Sequence, residues 1–185
     1  LDPFCGIGTI LQEALLMGFS VKGTDTDKQA VAWTERNLKW IVKEYGLSGA
    51  DISIHRADAR ILSKIFPKNS IDAIITEPYL GEALKARPDM NKARRVIRKV
   101  RPIYERFLKG AADILKQGGR IVAVSPCFDT GGGRILRLNM EAIALRSGLK
   151  VINPFDGTGI KRGLPLVDRE ERHRTVREIT VIESV

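Results

Sequence analysis

Asp2, Asp25, Asp58 and Glu77 each follow a short apolar run, and the first opens the stretch Asp2-Pro3-Phe4-Cys5-Gly6-Ile7-Gly8-Thr9. An apolar run that passes through a glycine turn into a helical pattern is where a nucleotide-like ligand comes closest to a backbone. Glycine at positions 6 and 8 leaves room for that approach, because a side chain there would take the ligand's volume. Two phosphate-binding patterns do not fit. A dinucleotide turn needs a third glycine where Leu11 stands, and a phosphate loop needs Gly-Lys followed by Ser or Thr, which this turn lacks.

The pattern suits a ligand that carries a carboxylate, an ammonium and a ribose in place of phosphates. S-adenosylmethionine is such a molecule. Amides at a helix N-terminus can take its carboxylate. Asp2 can take its ammonium, Asp25 both ribose hydroxyls and Asp58 the adenine amino group. Ordinary roles compete at each acid, since aspartate also caps helices and turns, and Asp27 reads as such a cap.

A second candidate centre is Thr76-Glu77-Pro78-Tyr79. An exocyclic base amine has its lone pair delocalised into the ring, so methyl transfer to it needs acceptors that hold its protons and aim the lone pair. A proline turn with carbonyls and a carboxylate can supply them, and positioning of this kind contributes about 7–11 kcal/mol towards a barrier. Tyr79 would stack on the base, worth about 1–3 kcal/mol, once the base has left its own stack.

These residues need a scaffold that gathers strand ends. Leu1-Asp2 read as the end of a strand cut off at the start of the sequence. Positions 9–17 have helical spacing, 19–24 read as a strand, and a helix follows Asp27 with Val31, Leu38, Ile41, Val42 and Tyr45 on one face. Trp33 and Trp40 on that helix read as packing residues. Strands are predicted at 52–55, 71–76, 120–125, 150–153 and 176–182. The stretch 92–116 carries a helical stripe interrupted by Pro102, which implies either a kink or a new helix starting there. A further helix is expected at 134–146, a linker at Gly131-Gly132-Gly133, and a glycine-rich loop at 154–174.

Strands alternating with helices imply an α/β fold, a doubly wound and mostly parallel sheet. The last two strands have no helix between them, so the final one should run antiparallel. Ligands in such sheets sit at the carboxyl ends of the strands, which sets the four acids along one edge.

A length of 185 residues predicts one domain. No apolar run approaches the roughly 20 residues of a membrane span, so a soluble, cytoplasmic protein is expected with no membrane partner. Cys5 and Cys127 form neither a Cys-x-x-Cys motif nor a Cys/His cluster, so reduced thiols and no metal are expected. His55 and His173 lack partners in any catalytic pattern. The net charge of +9 is concentrated in Lys85, Arg87, Lys92, Arg94, Arg95, Arg98, Lys99 and Arg101, which can be a solvated helix face or a phosphate-contacting surface.

Asp2 to Ile10 with Glu13-Ala14, then Gly23-Thr24-Asp25-Thr26-Asp27, then Thr76 to Tyr79, together resemble the RNA methylase family. That family includes the tRNA guanosine-N2 methyltransferases, whose catalytic domain follows an RNA-binding THUMP domain. The resemblance spans essentially the whole chain, and it has no THUMP counterpart here. It implies a Rossmann-like class I methyltransferase fold and S-adenosylmethionine as methyl donor. The donor would be lined by Asp2, Gly6, Gly8, Asp25 and Asp58 in the bend from Phe4 to Thr9, with Thr76 to Tyr79 as the catalytic turn and tRNA or another structured RNA as partner. Related adenine-N6 and ribosomal RNA guanine-N2 enzymes share the glycine motif.

The turn departs from the family's Asp-Pro-Pro-Tyr or Asn-Pro-Pro-Tyr. Without a gap, Thr76 takes the acid's place; with one proline deleted, Glu77 does. Glu77 is the expected amine acceptor, because a threonine hydroxyl is a poor base. The altered pair also leaves open a non-catalytic RNA-binding relative.

Overall fold

In the computed structural model, residues 1–160, 164–169 and 174–184 are described. The expected alternation is present from the start. Helix α1 (Thr9–Leu16) leaves the glycine bend, strand β1 (Val21–Asp25) follows, and helix α2 (Lys28–Glu44) begins at Asp27, whose side chain accepts from the Gln29 amide. Strand β2 (Ile52–Arg56), a 3-10 turn over Ala59–Lys64 and strand β3 (Ile71–Thr76) come next. Helix α3 (Met90–Ile114) runs unbroken through Pro102, whose ring faces solvent. Strands β4 (Leu115–Asp129) and β5 (Ile135–Arg137), helix α4 (Met140–Arg146), and strands β6 (Leu149–Ile152), β7 (Leu166–Asp168) and β8 (Val176–Ser184) complete the chain.

Strands β1 and β2 pair in parallel, as do β3 and β4. Leu1 and Asp2 join the two pairs. The Asp2 amide donates to Lys22 O at 2.9 Å and the Thr24 amide to Asp2 O at 3.0 Å, while the Ile75 amide donates to Leu1 O at 3.0 Å. The resulting order is β2, β1, Leu1-Asp2, β3, β4, β8, β6. Strand β8 runs antiparallel to both β4 and β6, as its missing crossover helix predicts. Buried Leu11, Leu15, Leu38 and Ile41 form one apolar cluster with Val21. Val96, Val100, Tyr104, Phe107 and Ile143 belong to a larger one that includes Ile74 and Ile121. Burying such a side chain contributes about 1.5–3 kcal/mol, and helix α3 alone buries ten residues, which fixes the turn that precedes it.

Several expectations fail. The helix predicted over 134–146 starts only at Met140, because Gly131, Gly132 and Gly133 all take positive φ and turn the chain into β5, antiparallel to the end of β4. The three glycines are therefore a hairpin turn, not a linker. The loop at 154–174 contains β7, which pairs with β8; positions 161–163 and 170–173, including His173, lie outside the described residues. Trp33 and Trp40 are exposed, and so is Tyr45, which meets Trp40 edge-on at 6.4 Å. Helix α2 buries the Ala30, Thr34, Leu38, Ile41 stripe instead.

Candidate active site

The bend after Asp2 is held by its own turn and by the adjoining β1 and α2. Gly6 and Gly8 sit at φ of 53° and 86°, a region that L-residues rarely enter. The Gly8 amide donates to Cys5 O at 2.7 Å, and Thr34 Oγ1 donates to Gly6 O at 2.8 Å. A Cβ on Gly8 would lie 3.0 Å from Thr34 Cγ2, so the helix behind the bend leaves no room for one. Thr9 then begins α1, with Gly8 as its N-cap.

Asp25 ends β1 with its carboxylate anchored on both oxygens, Oδ2 by the Gly6 amide at 2.9 Å and Oδ1 by the Asp27 amide at 3.0 Å. Two backbone donors use only part of a carboxylate's acceptor capacity. Asp2 is nearly inaccessible. Its Oδ1 accepts from the Phe4 amide at 3.1 Å and from Thr76 Oγ1 at 2.7 Å. Burial pushes its carboxyl up to about 6, and the Thr76 and Phe4 hydrogen bonds offset part of that rise.

One cavity of about 490 Å³ gathers the ends of the strands. Phe4 and Asp25 share it with Asp58 and Arg60 and with Glu77, Pro78 and Tyr79. Six of the sequence-predicted residues thus meet in one place. Asp2, Gly6, Gly8 and Thr9 shape the bend without lining the cavity. Thr76 does not reach it either. It is buried, and its hydroxyl is spent on Asp2.

Two arginines in this site escape the sequence reading. Arg60 Nε lies 2.9 and 2.8 Å from the two oxygens of Asp58, and this hydrogen bonding holds the Asp58 carboxyl below its usual range. Asp58 also caps the 3-10 turn by accepting from the Arg60 amide, and the cap two residues before an arginine was the available signal. Arg177 Nε donates to Glu77 Oε2 at 2.9 Å across a separation of 100 residues, for which no local signal exists. Among the described residues, no group of three or more His, Cys, Asp or Glu side chains could hold a metal ion, and no helix is long and apolar enough to cross a membrane. Both cysteines are free and buried.

The basic stretch is split by its pairings. Lys92 meets Glu82 at 2.6 Å, Arg87 meets Asp129 at 3.7 Å and Arg101 meets Glu105 at 3.9 Å. Arg94, Arg95, Arg98 and Lys99 are exposed on α3 and form no ion pair among the described residues.

The family described as "RMKL-like, methyltransferase domain" matches residues 1–127. The tRNA (guanine(10)-N2)-dimethyltransferase of Methanothermobacter thermautotrophicus is 36% identical over 128 residues, covering 69% of this chain and 33% of that protein. The enzyme of the same name from Methanocaldococcus jannaschii is 32% identical over 129 residues, covering 68% and 32%. The matched region is thus about a third of the length of these relatives. The crystal structure of TrmN from Thermus thermophilus superposes with a TM-score of 0.63 at 23% identity, covering 100% of this chain and 43% of that one. That likeness fixes the fold as Rossmann-like class I, the architecture that the alternating strands and helices imply. With its glycine bend, its strand-end acids and a family match over two thirds of its length, this chain belongs to the RMKL-like methyltransferase domain family.

Proposed function

We propose that the protein carrying this domain is an S-adenosylmethionine-dependent methyltransferase that modifies an exocyclic base amine of RNA, guanosine N2 in tRNA. The observation that carries the reading is the shared cavity, in which Phe4 of the glycine bend and Asp25 of β1 face the same space as Glu77, Pro78 and Tyr79. The tRNA-modifying names of its relatives favour tRNA over other RNA.

The residues present fit the donor. Gly6 has no neighbour within 4 Å of where a Cβ would stand, so the bend is open to a ligand, and the first amides of α1 have no partner inside their own helix. Those amides would hold a carboxylate, Asp2 an ammonium and Asp25 the ribose hydroxyls. Phe4 would lie against the donor's body. Asp58 would take the adenine amino group with whatever acceptor capacity Arg60 leaves it. When bound, S-adenosylmethionine would supply an electrophilic methyl group on a cationic sulfur, with the neutral thioether as leaving group.

The chain's own residues prepare the amine. Tyr79, more than half exposed, is available to stack on an extruded base. Pro78 stiffens the turn whose carbonyls, with Glu77, hold the amine protons, and Glu77 accepts the proton that the methylated nitrogen sheds. Thr76 serves from below, orienting Asp2 instead of contacting the base. Arg94, Arg95, Arg98 and Lys99 would meet RNA phosphates.

The test is to incubate the full-length protein with methyl-labelled donor and either tRNA or DNA, then digest to nucleosides. Label in N2-methylguanosine from tRNA is expected. Label on adenosine points to the adenine-N6 alternative, label in DNA removes RNA as substrate, and absence of label removes the catalytic reading.

A further inference from the structure

We propose that Arg177 is the positioning residue of the acceptor turn: its guanidinium fixes the Glu77 carboxylate in the orientation from which it holds the protons of the substrate amine. The inference rests on the methyltransferase reading above. Glutamate has three rotatable side-chain bonds, and Glu77 stands on a partly exposed turn, so nothing in the turn itself holds its carboxylate still. Arg177 supplies the missing constraint. Its Nε lies 2.9 Å from Glu77 Oε2 and its Nη2 3.5 Å from Oε1, so both oxygens are engaged from one side and the carboxylate plane is set.

The anchor is itself rigid. Arg177 lies on β8, in register with Pro126 of β4 on one side and Asp168 of β7 on the other, and Asp168 Oδ2 stands 4.0 Å from its Nη1. Its neighbour Glu178 is buried and pairs with Arg137 at 3.4 Å, so strand alternation sends Arg177 to the opposite face of the sheet, towards the turn. The Thr76 hydroxyl cannot take this task, since it is committed to Asp2.

Charge points the same way. Glu77 shares its cavity with the carboxylates of Asp25 and Asp58, and three like charges gathered in one place repel one another unless cations stand beside them. Arg60 balances Asp58, and Arg177 balances Glu77. A carboxylate offers about four acceptor directions; the guanidinium uses two, which leaves two for an amino group. Arg177 therefore acts on the reaction through Glu77.

A double-mutant cycle in the full-length protein tests this with wild type, Glu77→Gln, Arg177→Gln and the double variant, assayed for methyl transfer to tRNA. Arg177→Gln is expected to lower kcat by about 10–100-fold, the scale of a misplaced reacting group, with KM for donor and RNA unchanged. Arg177→Lys should recover part of the loss, since it restores the charge but not the two-point contact. Once Glu77 is Gln, adding Arg177→Gln should cost no more than about twofold. If Arg177→Gln fails to fold, the same cycle runs with Arg177→Lys. Losses that multiply, or a raised RNA KM at unchanged kcat, would overturn the proposal while the methyltransferase reading stands. A wild-type protein inactive on RNA would overturn both.

Discussion

The bend from Phe4 to Thr9 and the turn from Thr76 to Tyr79 meet at one cavity, the bend through Phe4 and the turn through Glu77, Pro78 and Tyr79, yet they are built on different plans. Backbone conformation and the adjoining β1 and α2 hold the bend: two left-handed glycines, the Gly6 amide on Asp25 and Thr34 packed behind Gly8. The turn's carboxylate, Glu77, is held by one guanidinium that arrives from 100 residues away. On the proposed reading, donor recognition would rest on the motif and the two elements that follow it, and acceptor chemistry on a pairing that spans the sheet.

Filling the bend should break the first half and spare the second. Gly8→Val places a β-branched residue at φ of 86° with its Cβ 3.0 Å from Thr34 Cγ2. Left-handed strain alone costs about 1–2 kcal/mol, and the clash adds to it. Calorimetry should show donor affinity falling by at least about tenfold, whereas kcat at saturating donor holds; equal losses in both would mean that the two regions are not separable.

Acid titrates the same half. If Asp2 must be ionised to receive the donor's ammonium, affinity should be flat at neutral pH and fall about tenfold per pH unit below about 6, the value to which burial raises its carboxyl. Without ligand, the folded state binds this proton more tightly than the unfolded chain, whose carboxyl titrates near 3.8. Stability should therefore decline as pH rises from about 4 to about 6, by on the order of 2–3 kcal/mol. Denaturant titrations across that window check the sign.

Thr76→Val sharpens the comparison, because that side chain belongs to the turn but serves the bend. Losing its 2.7 Å hydrogen bond should raise the midpoint of the donor-binding pH profile and destabilise the fold by about 1–3 kcal/mol, with kcat at neutral pH nearly unchanged. A collapse of kcat would instead make Thr76 an acceptor in the reaction. The smallest effect is expected from Arg98→Ala or Lys99→Ala, each lowering the salt slope of RNA binding by about 1 without changing donor affinity.

This division also explains what the sequence revealed. Alternating strands and helices, the cap at Asp27 and the acids at strand ends were legible because each rests on spacing within a few residues. The hairpin at Gly131–Gly133 and strand β7 were not, since short strands gain their stability from the neighbour they pair with and carry little pattern of their own. The exposure of Trp33 and Trp40 reverses an expectation based on their spacing along the helix, because the Ala30 to Ile41 stripe took the buried face. In the site, the glycine bend and the acid at Asp25 follow from a recognisable motif. The Arg60–Asp58 and Arg177–Glu77 pairs do not, and both change how the acids must be read.

A crystal structure of the full-length protein with S-adenosylhomocysteine tests the central claim most directly. The ribose hydroxyls should rest on Asp25, the amino-acid end against the start of α1, and the sulfur should face Pro78 and Tyr79. A ligand bound away from the Phe4–Thr9 bend, or one whose sulfur turns from that proline and tyrosine, would contradict it.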